Sequence, residues 1–118
     1  MKQKEITFCG KTYPVVFTIK TIMGYEQITG RSFFDAGNKL STIGDKAALL
    51  YAAIVAADEK ADIAFDDIIN SDRVAAVNEI VSAFAVINKL AEEFFKIPKV
   101  EPQPEPAAED QKGDQQKN

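Results

Sequence analysis

Residues 7–34, TFCGKTYPVVFTIKTIMGYEQITGRSFF, decide the fold. Ile6, Thr7 and Phe8, and then Val15, Val16 and Phe17, are β-branched and aromatic runs. Gly10-Lys11 between them marks a two-residue hairpin turn. Thr18 is placed to cap a helix over residues 19–29, and Gly30 stands where a left-handed residue closes one. Ser32 is a second cap, which puts Phe33 and Phe34 in the first turn of the next helix. The segment holds no catalytic residue, and its layout points to a small interaction protein.

Further along the chain the pattern is helical. A short helix is expected over residues 32–40, ending near Ser41-Thr42. Asp45 or Gly44 then opens a longer one through Ala47, Leu49, Leu50, Ile54 and Val55. That segment is apolar nearly all round, as in a helix buried on several sides, and its alanines let neighbours approach closely. After a polar connection at residues 58–62, residues 65–69 read as one helical turn and Asp72 as the N-cap of a last helix over residues 73–96. Its apolar positions Val74, Val77, Val81, Phe84, Ile87, Ala91 and Phe94 recur every three or four residues. Ile80, Val86, Leu90 and Phe95 widen that stripe beyond a coiled-coil seam, the width of a face buried in the domain, in a partner contact, or in both.

Composition narrows the function. A chain of 118 residues with 46% hydrophobic residues builds one domain, and its net charge of −4 argues against nucleic acid, which calls for a basic patch. The longest apolar run, residues 47–57, falls short of the roughly 18 residues that cross a bilayer, so no membrane segment is expected. The N-terminus lacks the apolar stretch of a signal peptide, and a soluble cytoplasmic protein is expected. Histidine is absent and Cys9 is the single cysteine, which excludes serine–histidine and cysteine–histidine catalysis within the chain, as well as an internal disulfide. Cys9, at the end of the first strand, reads as a small half-buried hydrophobe. No metal or cofactor is expected.

The remaining motifs have ordinary readings. Gly10-Lys11-Thr12 looks like the end of a phosphate loop, but Glu5 stands where the first glycine belongs and a strand follows. The carboxylates from Asp58 to Asp72 fit no calcium-loop frame and read as caps and solvated charges. Glu92 and Glu93 sit beside Lys89 and Lys96, which suits surface ion pairs. Glu26, mid-helix, reads as solvent-facing, or else as making a capping or interhelical hydrogen bond that fixes the Gly30 turn. Phe33-Phe34 and Phe94-Phe95 are adjacent aromatics that cannot point the same way on a helix. Core placement is expected for one of each pair, and an exposed second member would mark a contact patch.

At Pro98 the composition changes. Residues 99–118 contain Val100 as their only large aliphatic residue and no aromatic, and residues 100–106 favour polyproline II geometry. An acidic, Pro/Gln-rich disordered tail over residues 98–118 is expected behind a folded domain of residues 3–97.

The block Gly10-Lys11-Thr12-Tyr13, Phe17-Thr18-Ile19-Lys20, Tyr25-Glu26 and Thr29-Gly30-Arg31-Ser32-Phe33-Phe34 resembles the tail assembly chaperones of long-tailed bacteriophages. The alanine/leucine helix at Ala47-Ala48-Leu49-Leu50-Tyr51-Ala52-Ala53 and the short acidic helix before a long terminal one extend the resemblance over about residues 3–97. What it implies is a non-enzymatic protein of the host cytoplasm that binds the tape-measure protein, keeps its apolar helices soluble and helps recruit tail-tube subunits. It carries over no catalytic residues and no short binding motif. The expected partner-binding residues, Phe33, Phe34, Phe84, Ile87, Phe94 and Phe95, come from the reasoning about exposed aromatics. Alternatives are a structural virion component, such as a small tail or head–tail connector protein, and a bacterial protein-interaction domain. The fold expected is α+β, a small antiparallel hairpin on four or five helices. A lone hairpin is marginal in water, so it should pack on the helices or extend a neighbour's sheet, which leaves self-association open.

Overall fold

The computed structural model describes residues 2–36 and 42–96, and has the expected α+β architecture. Strands β1 (Gln3–Phe8) and β2 (Lys11–Val16) form an antiparallel hairpin, with Phe8 opposite Lys11, Ile6 opposite Tyr13 and Lys4 opposite Val15. The turn is Cys9-Gly10, one residue earlier than the sequence suggests. Both residues have positive φ, 56° and 79°, the primed-turn geometry that matches strand twist. Cys9 is therefore an exposed turn residue and not a half-buried hydrophobe. Pairs flanking a two-residue turn are hydrogen-bonded and alternate with non-bonded ones, so Pro14, opposite Glu5, falls where its missing N–H costs the ladder nothing.

A tertiary contact holds Cys9 in this strained conformation. Its backbone N–H donates to Glu79 Oε1 at 3.0 Å, and Arg73 donates to the same oxygen at 2.7 Å. The Arg73 guanidinium also lies 5.8 Å from the centre of the Phe8 ring. Hairpin tip and last helix are thus tied through one carboxylate.

Helix α1 (Ile19–Thr29) starts at Thr18, as expected, and the Thr18 N–H donates to Thr21 Oγ1 at 3.1 Å. The buried Thr21 hydroxyl donates in turn to the Val16 carbonyl at 2.9 Å, joining helix to strand. Gly30, with φ 71°, closes α1. A short α2 (Phe33–Ala36) follows. The expected continuation to Leu40 and the tail at residues 98–118 lie outside the described residues. Helix α3 (Ile43–Ala57) is capped by Thr42, whose Oγ1 accepts from the Asp45 N–H at 3.1 Å, so Asp45 lies inside the first turn and does not open the helix. Helix α4 (Phe65–Ile69) is the single turn expected.

Helix α3 forms the middle of the domain and packs against β2, α1, α4 and the last helix, α5 (Val74–Phe95). Its alanines allow this. A Cβ built on Gly24 of α1 would stand 3.0 Å from the Ala52 Cβ, so α1 and α3 cross almost backbone to backbone.

Helix α5 departs from expectation twice. Its N-cap is Arg73, not Asp72, and no side chain caps it. Its buried face is Ala76, Ile80, Ala83, Ile87, Leu90 and Ala91, so the stripe chosen by spacing splits between core and solvent. Of that stripe only Ile87 and Ala91 are buried, whereas Val74, Val77 and Val81 are 86%, 52% and 45% exposed. The helix is apolar on two sides, and the side carrying alanines matches the alanine-rich α3. By length and composition α5 could cross a membrane, but a third of the relevant window is buried within the domain.

Gly24→Val should force α1 off α3 and lower the unfolding free energy by about 1–3 kcal/mol, read as a drop in denaturant midpoint. An unchanged midpoint would show that the crossing is not close-packed. The hydrogen bond from Arg73, with that from the Cys9 N–H, holds the Glu79 carboxyl below the usual carboxylate range. The folded pKa is the lower one, so the stabilisation is present above the unfolded value and is lost as pH falls through the folded value. Glu79→Gln should therefore cost stability at neutral pH, and its gap from the parent should narrow on acidification in melts taken across the acid range. A gap independent of pH would rule the carboxylate out as the tie.

Candidate functional site

Three chain segments meet at one end of the domain. The end of β2 leads into Phe17, the Gly30 turn brings back α2 with Phe33 and Phe34, and the last turn of α5 supplies Phe94 and Phe95. Phe17 is the buried centre, with ring centroids 5.8, 5.3 and 5.7 Å from Phe33, Phe94 and Phe95. Phe34 lies 5.5 Å from Phe33 and 6.1 Å from Phe95, both edge to face. Tyr25 supports Phe33 from the core side at 5.6 Å, with its ring nearly perpendicular. These are the tilted and edge-on arrangements that aromatic quadrupoles favour.

Polar contacts fix the short helix that carries Phe33 and Phe34. Glu26 Oε2 accepts from the Phe33 N–H at 3.0 Å, which is the turn-fixing role weighed against a solvent-facing one. The Gly30 N–H donates to the Glu26 carbonyl at 2.8 Å. Arg31 forms an ion pair with the buried Asp45 carboxylate, tying the same turn to the start of α3. Position and direction of α2 are therefore set on both sides of the turn.

The resulting surface is apolar and open. Phe34 is 67% exposed, and Phe94 and Phe95 remain 42% and 44% exposed although both touch Phe17. Beside them a groove of about 360 Å³ is lined by Lys2, Phe17, Thr18, Leu90, Glu93 and Phe94. Its rim is charged: Lys2 Nζ lies 3.0 Å from Glu93 Oε1, and that contact holds the Glu93 carboxyl below its ordinary range. Glu93 thus pairs with the start of the chain, not with the helical neighbours Lys89 and Lys96 that its spacing suggests.

Of the six residues expected to bind a partner, the structure brings together Phe33, Phe34, Phe94 and Phe95. Neither Phe94 nor Phe95 is buried, against the expectation of one core member in that pair; both lie in the last turn of α5 and rest on Phe17. Ile87 is 0% exposed and belongs to the core, so it is not available to a partner. Phe84 lies apart from the cluster, half-buried, with Lys46 Nζ 5.1 Å above its ring. Sequence reasoning missed Phe17, which reads as the end of a strand but packs against Phe33, Phe94 and Phe95. It also placed Val74, Val77 and Val81 on one continuous stripe with Ile87 and Ala91, without deciding between the core and a partner contact. The signal for both was present as apolar residues, but not their direction.

Comparison of the chain with protein-family models, curated proteins and solved structures finds no match.

If Glu26 holds α2 in place, Glu26→Ala should free the Phe33 amide. Its hydrogen exchange should rise by about tenfold or more, in keeping with loss of a bond to a charged acceptor. Unchanged protection at Phe33, with α1 intact, would mean that packing alone holds the turn.

Proposed function

We propose that this protein is a non-enzymatic tail assembly chaperone that binds the apolar helices of a tape-measure protein and helps recruit tail-tube subunits. The observation that carries the proposal is the open cluster of Phe34, Phe94 and Phe95 around the buried Phe17. Large exposed apolar surfaces with a polar rim mark contact sites, and aromatic side chains give much contact area for little lost side-chain freedom. A groove between such rings accepts the apolar stripe of an amphipathic helix. The order of hairpin, Gly30 turn, alanine helix and long last helix, which resembles the phage chaperones, supports the same reading.

The physics of the task suits this surface. A tape-measure protein must stay extended and soluble until tube subunits coat it, so many chaperone copies of modest affinity serve better than one tight binder. The net charge of −4 adds repulsion between bound copies and solubility to the complex.

Co-expression with the longest helical open reading frame encoded just downstream tests the proposal. That protein should be soluble only with this chain and co-purify at many copies to one. Phe34→Ser combined with Phe94→Ser should abolish the effect while a thermal melt stays cooperative; Phe34 is the cleaner probe, because Phe94 also covers Phe17. If the downstream protein's solubility does not depend on this chain, and the chain is found in purified particles, it is a virion component and not a chaperone.

A further inference from the structure

The chain leaves the domain from inside its aromatic surface. Phe94 and Phe95 are the last residues of α5, and Lys96 closes the helix in extended backbone, with φ −71° and ψ 120°. That is close to polyproline II geometry. Residues 97–118 lie outside the described ones, but their sequence restricts their path. Proline stands at Pro98, Pro102, Pro104 and Pro106, and a residue before proline is itself held out of the helical region. Between Lys96 and Pro106, only Lys99 and Val100 are free of both constraints.

We propose that residues 101–106 fold back over Phe34, Phe94 and Phe95 as an extended segment, and cover these rings when no partner is bound. Aromatic-lined grooves take proline-rich segments because the extended form exists before binding, so little freedom is lost. The lengths agree. Six residues at about 3.1 Å each span roughly 19 Å. The exposed rings need less, since Phe94 and Phe95 are 5.1 Å apart and Phe95 and Phe34 6.1 Å. Residues 96–100 supply the return with a reach of at most about 17 Å, and Lys99-Val100 is where the chain can reverse. With three residues per turn, prolines at every second position put a ring on each side of the segment, so contact does not depend on its rotation.

Chain continuity selects this occupant. The segment is tethered to Phe95 itself, so its effective concentration is in the millimolar range however dilute the protein. A helix of the partner must displace it, and its apparent affinity falls by the fraction of chains that stand open. The same contact keeps free copies from joining through their phenylalanines. The inference rests on the aromatic surface as a contact site, and not on the identity of its partner.

Titration of the full chain with anilinonaphthalene sulfonate, read by fluorescence, tests the proposal. Pro102→Ser, Pro104→Ser and Pro106→Ser together keep the length and charge of the segment but loosen its extended form. That variant should bind the dye about two- to tenfold more tightly, the factor by which a weak competitor at millimolar effective concentration hides a site. In a Phe34→Ser, Phe94→Ser background the same three changes should have no effect. In the parent, proline ring protons should be shifted upfield by the phenylalanine rings, equally at every protein concentration. Equal dye affinity in parent and proline variant overturns the proposal, as does the same gain in the serine background. Proline shifts that fade on dilution also overturn it, because the segment would then come from another copy. A covered surface in a chain that leaves the downstream protein insoluble keeps this contact and removes the chaperone, whereas solubilisation without any cover does the reverse.

Discussion

The close approach of α1 to α3, where Gly24 meets Ala52, governs much of the architecture. Because α3 presents alanine on several faces, it can take neighbours on several sides at short distance, and β2, α1, α4 and α5 all pack on it. A helix covered in this way must be apolar nearly all round, which residues 47–57 are. The hairpin depends on the same helix. Two strands alone are marginal in water, and here Ile6, Phe8, Tyr13 and Val15 join the core that α3 and α5 complete.

This packing also creates the exposed surfaces. Helix α5 turns its alanine, isoleucine and leucine side inward, so its valines face out. At its C-terminal end the helix outruns the core, and Phe94 and Phe95 are left resting on Phe17 with their outer faces open. A domain of this size has too little interior for eight phenylalanines and the aliphatic residues beside them. Some apolar surface must therefore be placed outside, much of it at the aromatic end and along α5, with Ile19, Met23, Ile43 and Ile69 exposed on the other helices.

A few charged contacts settle what the apolar packing leaves loose. Glu79 gathers the Cys9 N–H and the Arg73 guanidinium, and so stabilises a turn that a non-glycine residue adopts reluctantly. Asp45 and Arg31 do the same for the Gly30 turn, with Glu26 completing the hold on α2. The Glu79 and Asp45 contacts join segments 70 and 14 residues apart and are not visible as motifs, whereas the Glu26 contact is local and was one of the two readings its position allowed.

The sequence by itself determined the elements. Strand runs of β-branched and aromatic residues, the Thr18 cap, the Gly30 stop and the apolar run at residues 47–57 are local signals, read from the chemistry of neighbouring residues. The same holds for the prominence of Phe33, Phe34, Phe94 and Phe95, since adjacent aromatics on a helix cannot both be buried with ease. Direction was decided only in three dimensions. A helix with two apolar sides has one hydrophobic period, so spacing cannot tell whether Val77 or Ile80 faces the core. The choice fell to the alanine-lined fit against α3. The hairpin turn likewise moved one residue, to Cys9-Gly10, because the acceptor that stabilises it is Glu79, seventy residues away along the chain and 3.0 Å away in space.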